Sequence, residues 1–395
     1  MLSTNAKVRT GLDRLAEECF AHLRGLRVGA ICNPSSVDRR MIHLADHLQG
    51  AEGVELAALF GPEHGIRGDA QDMIGVAPEV DRRTGVVVHS LYGPDVASLS
   101  PTAEQLSGLD LLIFDLQDVG SRYYTFAATM LYAMRAAAAQ GLRFLVLDRP
   151  NPIGGELVEG PTVRPGYESF VSAHPLPIRH GMTVGELALL FRAELGLDLD
   201  LEVIPCAGWS RSMLWSETGL PWILPSPNMP SPKTAAVYPG GCLIEGTNLS
   251  EGRGTTRPFE LWGAPWLDPE ALRDTCADMP GVILRPCAFR PVFHKHTGRS
   301  CLGVQPHVLD PMAFRPVRLY ARLLEEARRQ APEHFAWRTE PYEFVSEPIA
   351  IDLLFGSARE REAIEAGTPI QNLFDDWADD ERDFLARRAP FLLYS

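Results

Sequence analysis

Between residues 27 and 208, short apolar, largely β-branched runs alternate with longer stretches whose apolar positions recur at helical spacing. The runs predict strands at 27–33 (RVGAICN), 54–60 (VELAALF), 86–92 (VVVHSLY), 109–116 (LDLLIFDL), 144–148 (FLVLD) and 201–205 (LEVIP). Helical patterns fall between them at 38–49, 102–107, 125–140 and 183–195. This alternation is the signature of βαβ units around a parallel sheet. The Ala- and Leu-rich text of 125–140 predicts a helix packed tightly on that sheet. Thr183 with Glu186 three residues on predicts a capping box. Proline then crowds 221–232 (PWILPSPNMPSP), which excludes helix and predicts an extended linker or a cleft wall. A glycine-rich polar segment over 240–260 reads as a loop. From about 281 onward, short strands such as GVQPHVLD mix with amphipathic helices such as PVRLYARLLEEARRQ, which predicts a smaller α+β domain.

Size supports two domains, because single cores stop growing at roughly 250–300 residues and this chain has 395, 45% of them apolar. We place the boundary at 250/251. A formal net charge of −14 opposes a nucleic-acid or anionic-membrane partner, since phosphate surfaces are bound by clustered Lys and Arg. The seven cysteines are scattered and form no C-x-x-C pair, which suits buried thiols in a reducing compartment. The N-terminal text carries no apolar signal region, and no uncharged apolar run approaches 18 residues. A cytoplasmic location away from the membrane is the expectation.

In an open parallel sheet the ligand crevice lies beyond the carboxyl ends of the strands. The residues there are Asn33 after the first strand, Glu63 within GPEHG after the second, Asp115, Asp118, Arg122 and Tyr123 after the fourth, and Asp148, Arg149 and Asn151 after the fifth. Acidic residues also close strands as ordinary turn formers; their convergence on one edge is what points to chemistry. Glu63 stands out. Pro62 cannot continue the ladder and Gly65 permits a tight turn, so its carboxyl can be aimed into the crevice as a general acid. The plainer alternative is a pair with Arg67, which the position at a strand end outweighs. The 240–260 segment adds Glu245, Glu251 and Glu260 with Arg253 and Arg257. Trp209, Trp215, Trp222, Trp262 and Trp266 flank it and are candidates for stacking on a sugar ring. His64, His180, His294 and His296 match no metal-ligand spacing. Hydrolysis is therefore expected to persist after exhaustive chelation; loss of activity with EDTA, restored by zinc or calcium, would overturn this and make His64 the first ligand to test.

No G-x-G-x-x-G follows the first strand, and neither a P-loop nor a G-x-S-x-G elbow occurs, which disfavours dinucleotide, nucleotide and esterase chemistry. Several carboxylates in one crevice then most economically imply acid/base hydrolysis, and glycoside hydrolysis uses a pair of them. A non-catalytic sugar- or muropeptide-binding module on the same fold is the alternative.

The strings ALFGPEHGIRGDA (58–70), FDLQDVGSRYYTF (114–126), LDRPNPIGG (147–155), EGP (159–161), RHGMTVGEL (179–187), PSPNMP (225–230) and EGTNLSEGRGTTRPFE (245–260) resemble the exo-β-N-acetylmuramidase family of bacterial cell-wall recycling. The resemblance runs over nearly the whole chain. It implies a Rossmann-like larger domain, a smaller C-terminal domain, and a site in the cleft between them that needs no metal or organic cofactor. It also implies release of N-acetylmuramic acid from the non-reducing ends of peptidoglycan fragments, so that amino-sugar glycosides or muropeptides are the partners. The family's glutamate falls on Glu63. Glu251, Glu245 and Asp118 are candidates for the second catalytic group. His64, Arg67, Asp115, Arg122, Tyr123, Asp148, Arg149, Asn151, Asn248 and Arg253 are candidates for substrate binding. Arg253 could hold the lactyl carboxylate of muramic acid through its planar fork, or pair with Glu251 or Glu260 and order the loop. The text at 70–73 departs from the glycine-rich, acidic stretch of the family.

Overall fold

The structure, a computed structural model, describes residues 7–63, 65–66 and 79–395. His64, Arg67 and the departing text at 70–73 lie outside the described residues. The strands are β1 (Arg27–Cys32), β2 (Glu55–Gly61), β3 (Glu79–Val80), β4 (Val87–Ser90), β5 (Leu111–Asp115), β6 (Arg143–Leu147), β7 (Glu159–Thr162), β8 (Pro177–Arg179), β9 (Leu201–Ile204), β10 (Trp262–Ala264), β11 (Val282–Phe289) and β12 (Cys301–Val308).

Seven of them form one sheet in the order β3-β4-β2-β1-β5-β6-β9, parallel throughout except for the β3–β4 pair. Counted along the chain, its six parallel strands stand in the spatial order 3-2-1-4-5-6 of a doubly wound dinucleotide-type sheet. Alternate residues face opposite ways. Leu112 and Phe114 of β5 join one apolar cluster, and Leu111 and Ile113 join the other. The first cluster contains Phe126, Met130, Leu131 and Met134 of the helix Phe126–Ala139, which covers that face as its text predicts. It then continues to Trp262, Tyr320 and Trp377 in the C-terminal part.

That part holds a three-stranded antiparallel sheet, β10-β12-β11, packed with the helices Pro269–Thr275 and Pro316–Gln330. The pair β7–β8 rests on the helix Phe374–Arg388. Two expectations for 221–260 need adjusting. The prolines of 221–231 do keep that stretch out of helix, but Pro232 opens a helix to Gly241 under a Ser231 cap, because proline suits the first helical turn. The segment 240–246, read as loop, is helical instead: Cys242–Gly246 continues as a 3-10 turn. Gly240 is there for close packing, since a Cβ would stand 2.2 Å from the Pro316 carbonyl oxygen.

The last residues turn back onto the larger sheet. Tyr394 donates its hydroxyl proton to the Asp148 carboxylate at the end of β6 and accepts from the Cys206 amide at 2.8 Å. Leu393 N–H donates to Glu186 Oε1 at 2.9 Å, and Arg211 N–H to the Ser395 carbonyl at 3.0 Å. The predicted capping box of Thr183 and Glu186 is present.

Candidate active site

Glu63 lies just beyond β2. The Gly65 amide donates to the Pro62 carbonyl at 2.9 Å and closes a turn that contains Glu63. Gly65 takes a φ of 74°, which glycine adopts without the steric penalty of a side chain. Glu63 is 7% exposed, and Thr125 Oγ1, at the head of the helix Phe126–Ala139, donates to its Oε2 at 3.0 Å.

Around it opens a cavity of about 510 Å³ lined by Glu63, Tyr124, Ser226, Asn228, Glu245, Arg253 and Glu343, with Tyr123, Phe126, Tyr238, Phe259 and Tyr342 as aromatic walls. Three carboxylates thus line one space, delivered by the sheet edge (Glu63), the turn after the helix Pro232–Gly241 (Glu245) and the C-terminal part (Glu343). Glu245 is fixed by Arg253, whose Nε and Nη2 stand 3.2 and 2.7 Å from Oε1, and by Tyr342, whose hydroxyl donates to Oε2 at 2.6 Å. Glu343 accepts from the Tyr92 hydroxyl at 2.9 Å. Burial, then the nearby charges of Asp118 and Glu63, push the Tyr124 hydroxyl well above the ordinary tyrosine range.

Behind Arg253 lies Glu251, fully buried. Burial alone would raise its pKa, but Lys295 Nζ at 3.0 Å, His294 Nδ1 at 2.9 Å and Arg253 Nε at 3.4 Å outweigh it and hold the carboxyl well below its usual range. It does not line the cavity. It braces Arg253, whose guanidinium also lies over the Phe259 ring at 5.1 Å from the centroid.

The other strand-end residues make contacts within the framework. Asp115 and Arg149 form a bidentate ion pair, with Nη2 and Oδ2 2.9 Å apart, beside a separate cavity of about 350 Å³. Asp148 accepts from Thr183 Oγ1 and the Gly185 amide, both at 2.8 Å, and burial pushes it up to about 6. Arg122 is spent on the carbonyls of Pro161 and Leu176, at 2.8 and 2.7 Å, and on that of Leu354. Asn151 donates to the Met182 carbonyl at 3.0 Å, and Asn248 to that of His334 at 2.7 Å. Asn33 donates to the Pro225 carbonyl at 3.0 Å and so fastens the proline-rich segment over the sheet edge. Asp118 accepts from the Gly120 amide at 2.6 Å and lies 3.5 Å from His180 Nε2. Tyr123 alone of the expected binding residues after β5 lines the cavity, with its hydroxyl donated to the Pro239 carbonyl. None of the five tryptophans is among the described lining residues; Trp209, Trp215 and Trp262 are buried in packing.

Ser226, Asn228, Tyr342 and Glu343 were not singled out from the sequence. Ser226 and Asn228 belong to a proline-rich stretch, and such a stretch, held extended, can present polar side chains to a cleft; this was the available signal. Nothing local marks Tyr342 or Glu343.

The exo-beta-N-acetylmuramidase NamZ N-terminal family model matches residues 28–233, and its C-terminal counterpart matches residues 236–394. The chain belongs to the exo-β-N-acetylmuramidase family. Over 390 residues it is 44% identical to the peptidoglycan beta-N-acetylmuramidase NamZ of Bacillus subtilis (strain 168), covering 98% of this chain and 92% of that one. Two crystal structures of DUF1343 family proteins from Bacteroides fragilis NCTC 9343 are similar. One is 36% identical with a TM-score of 0.89, covering 99% of this chain and 100% of that one; the other is 30% identical with a TM-score of 0.74, covering 98% and 99%. The two exo-β-N-acetylmuramidase models meet within the helix Pro232–Gly241, which supplies Tyr238 to the Glu63 cavity. Among the described residues no helix is long and apolar enough to cross a membrane.

Proposed function

We propose that this chain is an exo-acting glycosidase that removes N-acetylmuramic acid from the non-reducing ends of peptidoglycan fragments during cell-wall recycling. The observation that carries the reading is the meeting of Glu63, Glu245 and Glu343 in one partly closed cavity of a family whose characterised relative is a muramidase. Glu63 protonates the glycosidic oxygen. A second carboxylate, Glu245 or Glu343, or the substrate's own acetamido group, stabilises the oxocarbenium-like centre. Glu245 suits the electrostatic part because Arg253 and Tyr342 fix its orientation. We further propose a cytoplasmic site of action, a reading that rests on the scattered free cysteines.

The test is hydrolysis of chromogenic β-glycosides of N-acetylmuramic acid, N-acetylglucosamine and glucose. The muramic acid glycoside should be turned over fastest; binding without turnover of any of them would replace the enzyme by a binding module.

Of the two roles the sequence leaves open for Arg253, the geometry favours pairing, since both its contacts with Glu245 and its approach to Glu251 engage the guanidinium edge. Arg253→Lys is expected to lower kcat/KM by about 30-fold, near 2 kcal/mol, on the muramic acid and N-acetylglucosamine glycosides alike. A loss confined to the muramic acid glycoside would instead make Arg253 the group that reads the lactyl carboxylate.

A further inference from the structure

One N–H of Arg253 is contested by two acids. Its Nε stands 3.2 Å from Glu245 Oε1, on the wall of the Glu63 cavity, and 3.4 Å from Glu251 Oε1 behind it. Both carboxylates are buried, and a buried charge without a counter-charge is costly, so the guanidinium is drawn to whichever acid is the worse compensated. Were Glu251 left uncompensated, it would pull Arg253 away from Glu245.

The compensation comes from the C-terminal sheet. Lys295 lies in the connection between β11 and β12; its Nζ stands 3.0 Å from Glu251 Oε2 and donates to the carbonyl of Ile244, the residue before Glu245, at 3.2 Å. The lysine side chain is 18% exposed and Glu251 is buried, so water and salt screen the pair only weakly. His294 Nδ1 approaches the other Glu251 oxygen at 2.9 Å, but that ring is 37% exposed and carries charge only when protonated.

The backbone is bent to bring the ammonium there. His294 and His296, on either side of Lys295, take φ of 67° and 56°, in the left-handed region that side chains disfavour. Such conformations persist where surrounding contacts over-determine them, and here the contacts are with the site segment. The Val292 amide donates to the Gly254 carbonyl at 2.9 Å, and His296 Nε2 stands 2.8 Å from the Asn248 carbonyl oxygen. A Cβ on Gly254 would stand 2.6 Å from the Phe293 carbonyl oxygen, so glycine next to Arg253 is what lets the connection come this close.

We propose that Lys295 is a positioning residue for glycoside hydrolysis: by neutralising Glu251 it commits the Arg253 guanidinium to Glu245 and so fixes a carboxylate that lines the cavity. This deepens the glycosidase reading and rests on Glu245 taking part in it.

Steady-state kinetics of the full chain on the N-acetylmuramic acid β-glycoside tests the proposal. Glu245→Gln should lower kcat by at least about tenfold, as removal of a preorganised electrostatic group does. Lys295→Met should lower kcat by about tenfold and leave KM within about twofold, in line with couplings between charged groups in contact. Lys295→Arg keeps the charge and should hold kcat within about threefold of the unaltered chain. Adding Glu251→Gln to Lys295→Met removes the uncompensated acid and should raise kcat again by about fivefold, whereas mere damage to the β11–β12 connection would leave the double variant no better than the single. Should Lys295→Met not fold, the double variant is compared with Glu251→Gln alone. Their kcat values should agree within about twofold, because Lys295 acts through Glu251, and a tenfold gap would count against that. The proposal is overturned by a normal kcat for Lys295→Met, by a loss that falls on KM instead, by a loss that Lys295→Arg shares in full, or by one that Glu251→Gln fails to relieve. A normal kcat for Glu245→Gln, or an unaltered chain without turnover, overturns it together with the reading on which it rests.

Discussion

Glu63→Gln is expected to lower kcat for an N-acetylmuramic acid glycoside by about two to four orders of magnitude, the usual worth of a positioned general acid, while the fold stays intact. The substitution keeps the shape of the side chain, and its carbonyl oxygen can still accept the proton of Thr125 Oγ1, which now contacts the carboxylate at 3.0 Å. What disappears is the titrating group. The loss should fall on kcat more than on KM, because proton donation to the leaving oxygen belongs to the transition state. Steady-state kinetics on protein whose circular dichroism matches the unaltered chain decides the matter. Near-normal turnover would remove Glu63 from the mechanism and turn attention to Glu245 and Glu343, which share its cavity.

Asp115→Asn is expected to act on stability instead, at a cost of about 3–5 kcal/mol, because it leaves the buried guanidinium of Arg149 without its counter-charge. Asp115 is fully buried and Arg149 is 5% exposed, so water cannot take the missing partner's place. The chemical denaturation midpoint should fall accordingly, and KM of the folded variant should stay within about twofold. The double change Asp115→Leu with Arg149→Met should recover part of the loss, since breaking a buried pair costs more than replacing it by apolar side chains. An unmoved midpoint together with a tenfold rise in KM would return Asp115 to the substrate.

The contrast between these two acids shows how far the sequence could be read. The parallel strands were legible because residues such as Leu112 and Phe114 on one face of β5 and Leu111 and Ile113 on the other are all buried, which leaves an apolar run in the text. The strand pair β7–β8 was not, because EGPT and PIR are short and rich in turn residues. The polar residues at the strand ends could be located but not sorted. Glu63, Asp115 and Asp148 occupy equivalent places in the pattern, yet the first faces a cavity, the second neutralises an arginine and the third ties down a helix start and Tyr394. The same residue types serve turns, caps and catalysis, so only tertiary neighbours separate them. Tyr342 and Glu343 were invisible for the converse reason: they reach the cavity from far along the chain, carrying no local periodicity or motif with them.

The hold of Tyr394 on Asp148 spans 246 residues of sequence, and that span sets a schedule for the newborn chain. At roughly 5–20 residues per second a ribosome needs on the order of 10–50 s to synthesise the stretch between them. Until Tyr394 is made, the buried carboxylate at the end of β6 lacks one of its donors, and the Cys206 amide, once made, lacks its acceptor. The larger domain therefore acquires this contact only long after the strand that carries the carboxylate has been made.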